Sequence, residues 1–187
     1  AIFYSIVFFG ITILSYYLLP EGLLKNRNPL QNWETSENSF MLVLQIFFYN
    51  FISVTVIIIG SLFSERKDSY TGYFSLGYYA LLALFCVNGT VLGTWSFSVE
   101  SEPIPLLSRI IRTFDLAHRA GLWEMAGQLL ITCSTAHIAI VLTSGKNTMT
   151  RKLRDIRLGK SERIALITGI VLLLIGAIVE STAINAQ

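Results

Sequence analysis

Five stretches of the chain stay apolar for about twenty residues at a time: Ala1 to Leu19, Ser39 to Phe63, Ser75 to Phe97, Arg119 to Thr143 and Arg163 to Ile184. A helix rises about 1.5 Å per residue, so runs of this length cover a hydrocarbon core of roughly 30 Å. They lack the strict polar/apolar alternation of outer-membrane strands, and lipid offers no partner for a bare N–H or C=O, so each run predicts a transmembrane helix. Polar punctuation separates them. Pro20, Gly22, Asn26, Asn28 and Pro29 close the first helix and open a polar connection carrying Trp33, and Arg66, Lys67 and Asp68 mark a tight turn after the second. Pro103 and Pro105 precede Leu106 to Phe114, whose apolar residues recur at helical spacing with Arg109 and Arg112 on the other face. That segment predicts an interfacial amphipathic helix leading into the fourth span. The expected fold is an all-α integral membrane bundle of about five transmembrane helices, one domain from 1 to 187 with no soluble lobe.

Composition agrees with this pattern. Of 187 residues, 53% are hydrophobic and 14% charged, against roughly 25% charged in a soluble domain. The formal charge of +2 is too small to argue for nucleic acid. Cys86 and Cys133 fall inside apolar runs, where a buried thiol behaves as a small hydrophobe, and neither belongs to a CxxC or His/Cys cluster. Nothing in the spacing calls for a metal or cofactor. The first run lacks a basic leader and is too long for a signal core, so it reads as a membrane helix whose preceding residues are missing or removed.

The basic residues set an orientation. With five spans, the Arg66 turn and the Ser144 to Glu162 loop share one side. That side carries nine Lys and Arg (Arg66, Lys67, Lys146, Arg151, Lys152, Arg154, Arg157, Lys160 and Arg163) against five opposite (Lys25, Arg27, Arg109, Arg112 and Arg119). The basic 144–162 loop is therefore expected in the cytoplasm or its equivalent, as for a bacterial inner or plasma membrane protein, or the matching side of a thylakoid or organellar membrane.

Polar groups within the runs cost most to bury, and Glu124 and Glu180 lead them, followed by Asn50, Asn88, Gln45, Gln128 and His137. Glu124 and Glu180 are expected at one depth, about 8 to 10 Å from the outer helix ends. One reading makes each a capped or protonated packing residue; the other lets the two share a proton or bond to a neighbouring helix. Asn50 and Asn88, near the middle of antiparallel helices, are expected to exchange an interhelical amide bond. Gly89 and Gly93 form a small-xxx-small face for close helix approach, and Gly121 is assigned the same packing role. His137 reads as a satisfied core residue rather than a metal ligand.

Four segments together resemble the stage II sporulation protein M family of bacterial membrane proteins: Phe48-Tyr49-Asn50-Phe51 followed by Gly60, Asn88-Gly89-Thr90-Val91-Leu92-Gly93, Ala120-Gly121-Leu122-Trp123-Glu124, and Leu174-Ile175-Gly176-Ala177-Ile178-Val179-Glu180. The likeness runs from about residue 39 to residue 184. Where that family commonly has His-Gly before the fourth-helix Glu, this chain has Ala120-Gly121. His118 is displaced by two residues, about 200° around a helix, so the family histidine does not carry over to it. The resemblance implies a non-enzymatic membrane scaffold or accessory subunit whose partners are the bilayer and other membrane proteins, in a larger complex or a homo-oligomer. Two alternatives use Glu124 and Glu180, as ion or proton sites of a transporter or permease-like component, or as the acid and base of an intramembrane hydrolase. Against the first stands the lack of an inverted repeat; against the second, the lack of a Ser/His dyad, HExxH or nucleophile elbow.

Overall fold

The computed structural model describes residues 1–25, 27, 36–66, 72–97, 102–114 and 120–185. Asn26, Asn28, Pro29, Trp33, Lys67, Asp68, His118 and Arg119 lie outside the described residues. Among the described residues the chain forms six α-helices: α1 (Ile2–Leu18), α2 (Ser39–Ser61), α3 (Gly77–Gly93), α4 (Leu106–Phe114), α5 (Ala120–Thr135) and α6 (Lys160–Asn185). Two of them, α2 and α6, are long and apolar enough to cross a membrane. The starts of α1 and α2 and both ends of α4 fall where the hydrophobic pattern placed them, within a residue.

The expectation of an all-α fold needs correcting, because four short strands form one sheet: β1 (Phe63–Arg66), β2 (Phe74–Ser75), β3 (Val141–Ser144) and β4 (Asn147–Thr150), in the order β2-β1-β3-β4. The third and fourth apolar runs therefore hold shorter helices than expected. α3 stops at Gly93, where Trp95 takes a left-handed φ of 52°, and α5 stops at Thr135, short of β3. At 16 residues, α5 is about 24 Å long. Its run continues as extended chain because β1 offers it a partner. Phe63 to Arg66 pairs in parallel with Val141 to Ser144, and the backbone N–H groups of Ile140 and Val141 both donate to Leu62 O, the carbonyl at the end of α2. The hairpin between β3 and β4 turns on Gly145, whose φ of +56° favours glycine, and Lys146. The two loops expected to share one side thus meet in one sheet.

Contacts at the two ends define the helix directions. The ends of α2 and α5 meet at the sheet, where Ser61 Oγ lies 3.2 Å from Thr135 Oγ1. At the far end, Asn185 Nδ2 donates to Ser39 Oγ at 3.0 Å, and Gly22 N–H donates to Thr94 O. Asn38 caps α2 by accepting from the N–H groups of Phe40 and Met41. Packing is organised by α2, which contributes Ile57 to a cluster with Phe8, Leu81 and Phe85, Leu42 and Ile46 to one with Ala177, and Val54 to one with Ile131 and Leu173.

Glycines set the closest approaches. A Cβ on Gly89 would stand 2.8 Å from Phe8 O, and one on Gly93 would strike Thr12 O, so the small-residue face of α3 is a seam against α1. Gly121 does not have the packing role assigned to it: its Cβ direction is open. The residue that does is Gly127, a turn and a half further along α5, where a Cβ would come 2.7 Å from Gly169 O of α6. Gly176 completes that seam against Glu124 and Ala120. Gly127 lies seven residues after Ala120 and Gly176 seven after Gly169, so the spacing repeats on both antiparallel helices.

Candidate functional site: a carboxyl pair inside the bundle

Glu124 enters the interior from the first turns of α5 and Glu180 from the last turns of α6. Because Gly176 has no side chain, α6 lies against the Glu124 stem, 3.0 Å from where its own Cβ would be. The two carboxyls lie close enough to interact with each other. A carboxylate oxygen only accepts, so a hydrogen bond between the two would require a proton on one of them. Asn50 Nδ2 donates to Glu124 Oε1 at 2.5 Å.

This arrangement brings Glu124, Glu180 and Asn50 together and leaves Asn88 out. Asn88 sits on the exposed side of α3, so the expected Asn50–Asn88 bond is replaced by one to a carboxyl. The depth also changes. Asn50 stands eleven residues from Ser39 and eleven from Ser61, the midpoint of α2, so its bond sets Glu124 level with the middle of that helix rather than in its outer third. Glu180, five residues before the end of α6, keeps its outer position and reaches Glu124 with its side chain. Helices α2 and α5 run parallel in a fixed register, since Asn50–Glu124 and Ser61–Thr135 are both separated by 74 positions. Eleven residues is about three helical turns, which returns both pairs to one face.

One turn beyond Glu124, Gln128 is buried, and its Oε1 has no hydrogen-bond partner among the described residues. Gln45 lies nearer the far end of α2, where its Oε1 accepts from Ser36 N–H at 3.0 Å. His137 is not the core residue expected: it is exposed beyond the end of α5, with Nδ1 3.0 Å from Glu162 Oε1. Cys133 is exposed and Cys86 half-buried.

A second polar centre at the far end overturns the expected solvated position of Arg109. It is only 2% exposed, while Arg112 of the same face stays exposed. Its Nε donates to Ile104 O at 2.6 Å, one terminal nitrogen to Gly93 O, and the other to Glu21, while the rings of Tyr16 and Trp95 lie 4.8 and 5.3 Å from the guanidinium carbon. A cleft of about 470 Å³ opens beside it, lined by Leu19, Glu21, Pro103 and Pro105. Leu107, Ile111 and Phe114 of α4 are exposed at helical spacing, while Leu106 and Ile110 are half-buried. The helical spacing identified α4 as amphipathic, but which pole faces the protein depends on Glu21 and Gly93, which are remote in sequence.

Chemically, the carboxyl pair can hold or pass a proton, or join α5 to α6, whereas Arg109 ties α1, α3 and α4 together. No protein-family model, curated protein or solved structure matches the chain.

Proposed function

We propose that this chain is a five-span integral membrane bundle that acts as a non-enzymatic scaffold or accessory subunit, organising partner proteins within a membrane complex. The observation that carries the membrane part is an inside-out distribution of side chains. Phe3, Ile6, Phe48, Ile59, Ile167 and Val171 are exposed along the helices, while Thr12, Arg109, Gln128 and Thr132 are buried. Lipid rewards that arrangement and water penalises it, since packing in a bilayer relies on small residues and interhelical polar bonds. On this reading α1, α3 and α5 also span. The scaffold part is supported by two interior carboxyls set close together, one of them bonded to Asn50, and by the four segments that resemble the stage II sporulation protein M family. The basic 144–162 loop lies on the cytoplasmic side. Purification in a gentle detergent followed by mass spectrometry tests the scaffold reading. Stoichiometric membrane-protein partners or a defined homo-oligomer are expected; a lone monomer refutes it.

A second reading, transport of protons or cations through the Glu124–Glu180 pair, is favoured by the proximity of two carboxyls inside the bundle. Proteoliposomes loaded with a pH-sensitive dye separate the two. A flux abolished by Glu124→Gln with folding intact establishes transport, and absence of flux leaves the scaffold role.

A further inference from the structure

We propose that the segment from Gly145 to Lys160 is a docking platform for anionic phospholipid headgroups, with Met149 and Leu153 inserted among them. The inference rests on the reading of the helices as membrane-spanning. Over these sixteen positions the chain carries six basic residues (Lys146, Arg151, Lys152, Arg154, Arg157 and Lys160) against one acid, Asp155, and all seven are exposed. Two large apolar side chains stand among them, Met149 at 61% and Leu153 at 73% exposure. Hydrophobic side chains ringed by cations match a layer whose surface is anionic and whose interior is apolar.

Geometry places the segment at the sheet end of the bundle. The guanidinium of Arg151 donates to Ala139 O through Nε at 3.0 Å and to His137 O through a terminal nitrogen at 3.0 Å, which pins the chain against the end of α5. Arg151 N–H also donates to Ile140 O. Leu153 follows two residues later, and α6 starts at Lys160, with its exposed Ile164 and Ile167 one and two turns on. The platform therefore leads along the chain directly into the exposed apolar residues of α6. Met149, across from Leu142 in the hairpin, lies two residues from Arg151, about 7 Å of extended chain. An acidic protein surface would satisfy the cations equally well. Two isolated apolar side chains are too few for the buried centre of a protein interface, and this favours lipid.

The test uses the full chain with Cys86 and Cys133 replaced by Ala and a single cysteine, Met149→Cys or Leu153→Cys, carrying an environment-sensitive dye, reconstituted in phosphatidylcholine nanodiscs with or without phosphatidylglycerol. Emission should shift to shorter wavelength only in the anionic discs. The shift should be lost at high salt and in the Lys152→Gln/Arg154→Gln/Arg157→Gln variant. A control label at Ile167→Cys should report an apolar environment in both lipids. If the control is solvated, the spanning reading fails. If the control is immersed but the platform labels read the same in both lipids, or shift only when an acidic protein is added, the lipid platform is refuted.

Discussion

Arg109 shows how one residue can organise three elements. Its guanidinium is held by two backbone carbonyls, one carboxylate and two aromatic faces, and it replaces water at the end of α3, where helix carbonyls lack partners. Lysine has neither the planar fork nor the stacking surface. Arg109→Ala and Arg109→Lys should therefore both lower stability in detergent, the alanine variant by roughly 3 kcal/mol. Glu21→Gln should cost less, because the Glu21 side chain is 47% exposed and water already screens the pair. Thermal unfolding midpoints test the ranking, and an unchanged midpoint for Arg109→Ala would mean that the clamp carries no stability. At the carboxyl pair, glutamine keeps the shape and can replace either group in a hydrogen bond, so Glu124→Gln and Glu180→Gln should assemble almost normally if the role is structural. Glu124→Lys should abolish assembly, since it buries a fixed cation beside the Asn50 amide. Size-exclusion profiles give the readout, and a monodisperse lysine variant would count against a packed site.

Among the elements, α5 has the most demanding surroundings. It packs on α6 through Gly127, on α2 through Glu124 and Thr135, and on the first core cluster through Met125 and Leu129. Gly127→Leu and Gly169→Leu should each force the α5–α6 seam apart, with a loss of folded protein, because the backbone carbonyl facing the new Cβ has no room to move. Gly121→Leu, pointing into open space, should change stability little. Gly89→Leu and Gly93→Leu should separate α1 from α3 in the same way. Quantifying monodisperse yield across the five variants decides the matter; a Gly121 variant as damaged as Gly127 would invalidate the assigned seam. The seven-residue spacing of Ala120 and Gly127 on one helix, and of Gly169 and Gly176 on the other, was not read from the sequence, which gave the packing role to Gly121. Spacing alone does not tell which glycine of Gly121 and Gly127 faces a neighbour, because that depends on how far α5 is rotated against α6.

For the whole molecule, the sheet joins the Arg66 strand and the basic loop at one end of the bundle, so a single orientation governs both. A cysteine introduced at the exposed Asn147, in the background lacking Cys86 and Cys133, should react with a membrane-impermeant thiol reagent from the cytoplasmic side only. Reaction from the opposite side would reverse the assignment drawn from the nine-to-five excess of Lys and Arg.

What the sequence determined by itself is whatever local pattern encodes: where apolar runs begin, that they are helical, that Leu106 to Phe114 is amphipathic, and that Glu124 and Glu180 need partners in an apolar setting. These follow from rise per residue, periodicity and the cost of burying charge, which need only neighbouring positions. Tertiary structure alone decided the rest. The tail of the fourth run became β3 because Leu62 O and the β1 edge, nearly eighty residues away, offer its backbone partners. Asn50 bonds to Glu124 rather than Asn88 because α2 and α5 run in parallel register, and Arg109 turned inward because Glu21, Tyr16 and Trp95 converge on it. In each case several backbone or side-chain groups compete for one partner. The winner is set by the rotation and register of packed elements, quantities that no single segment contains.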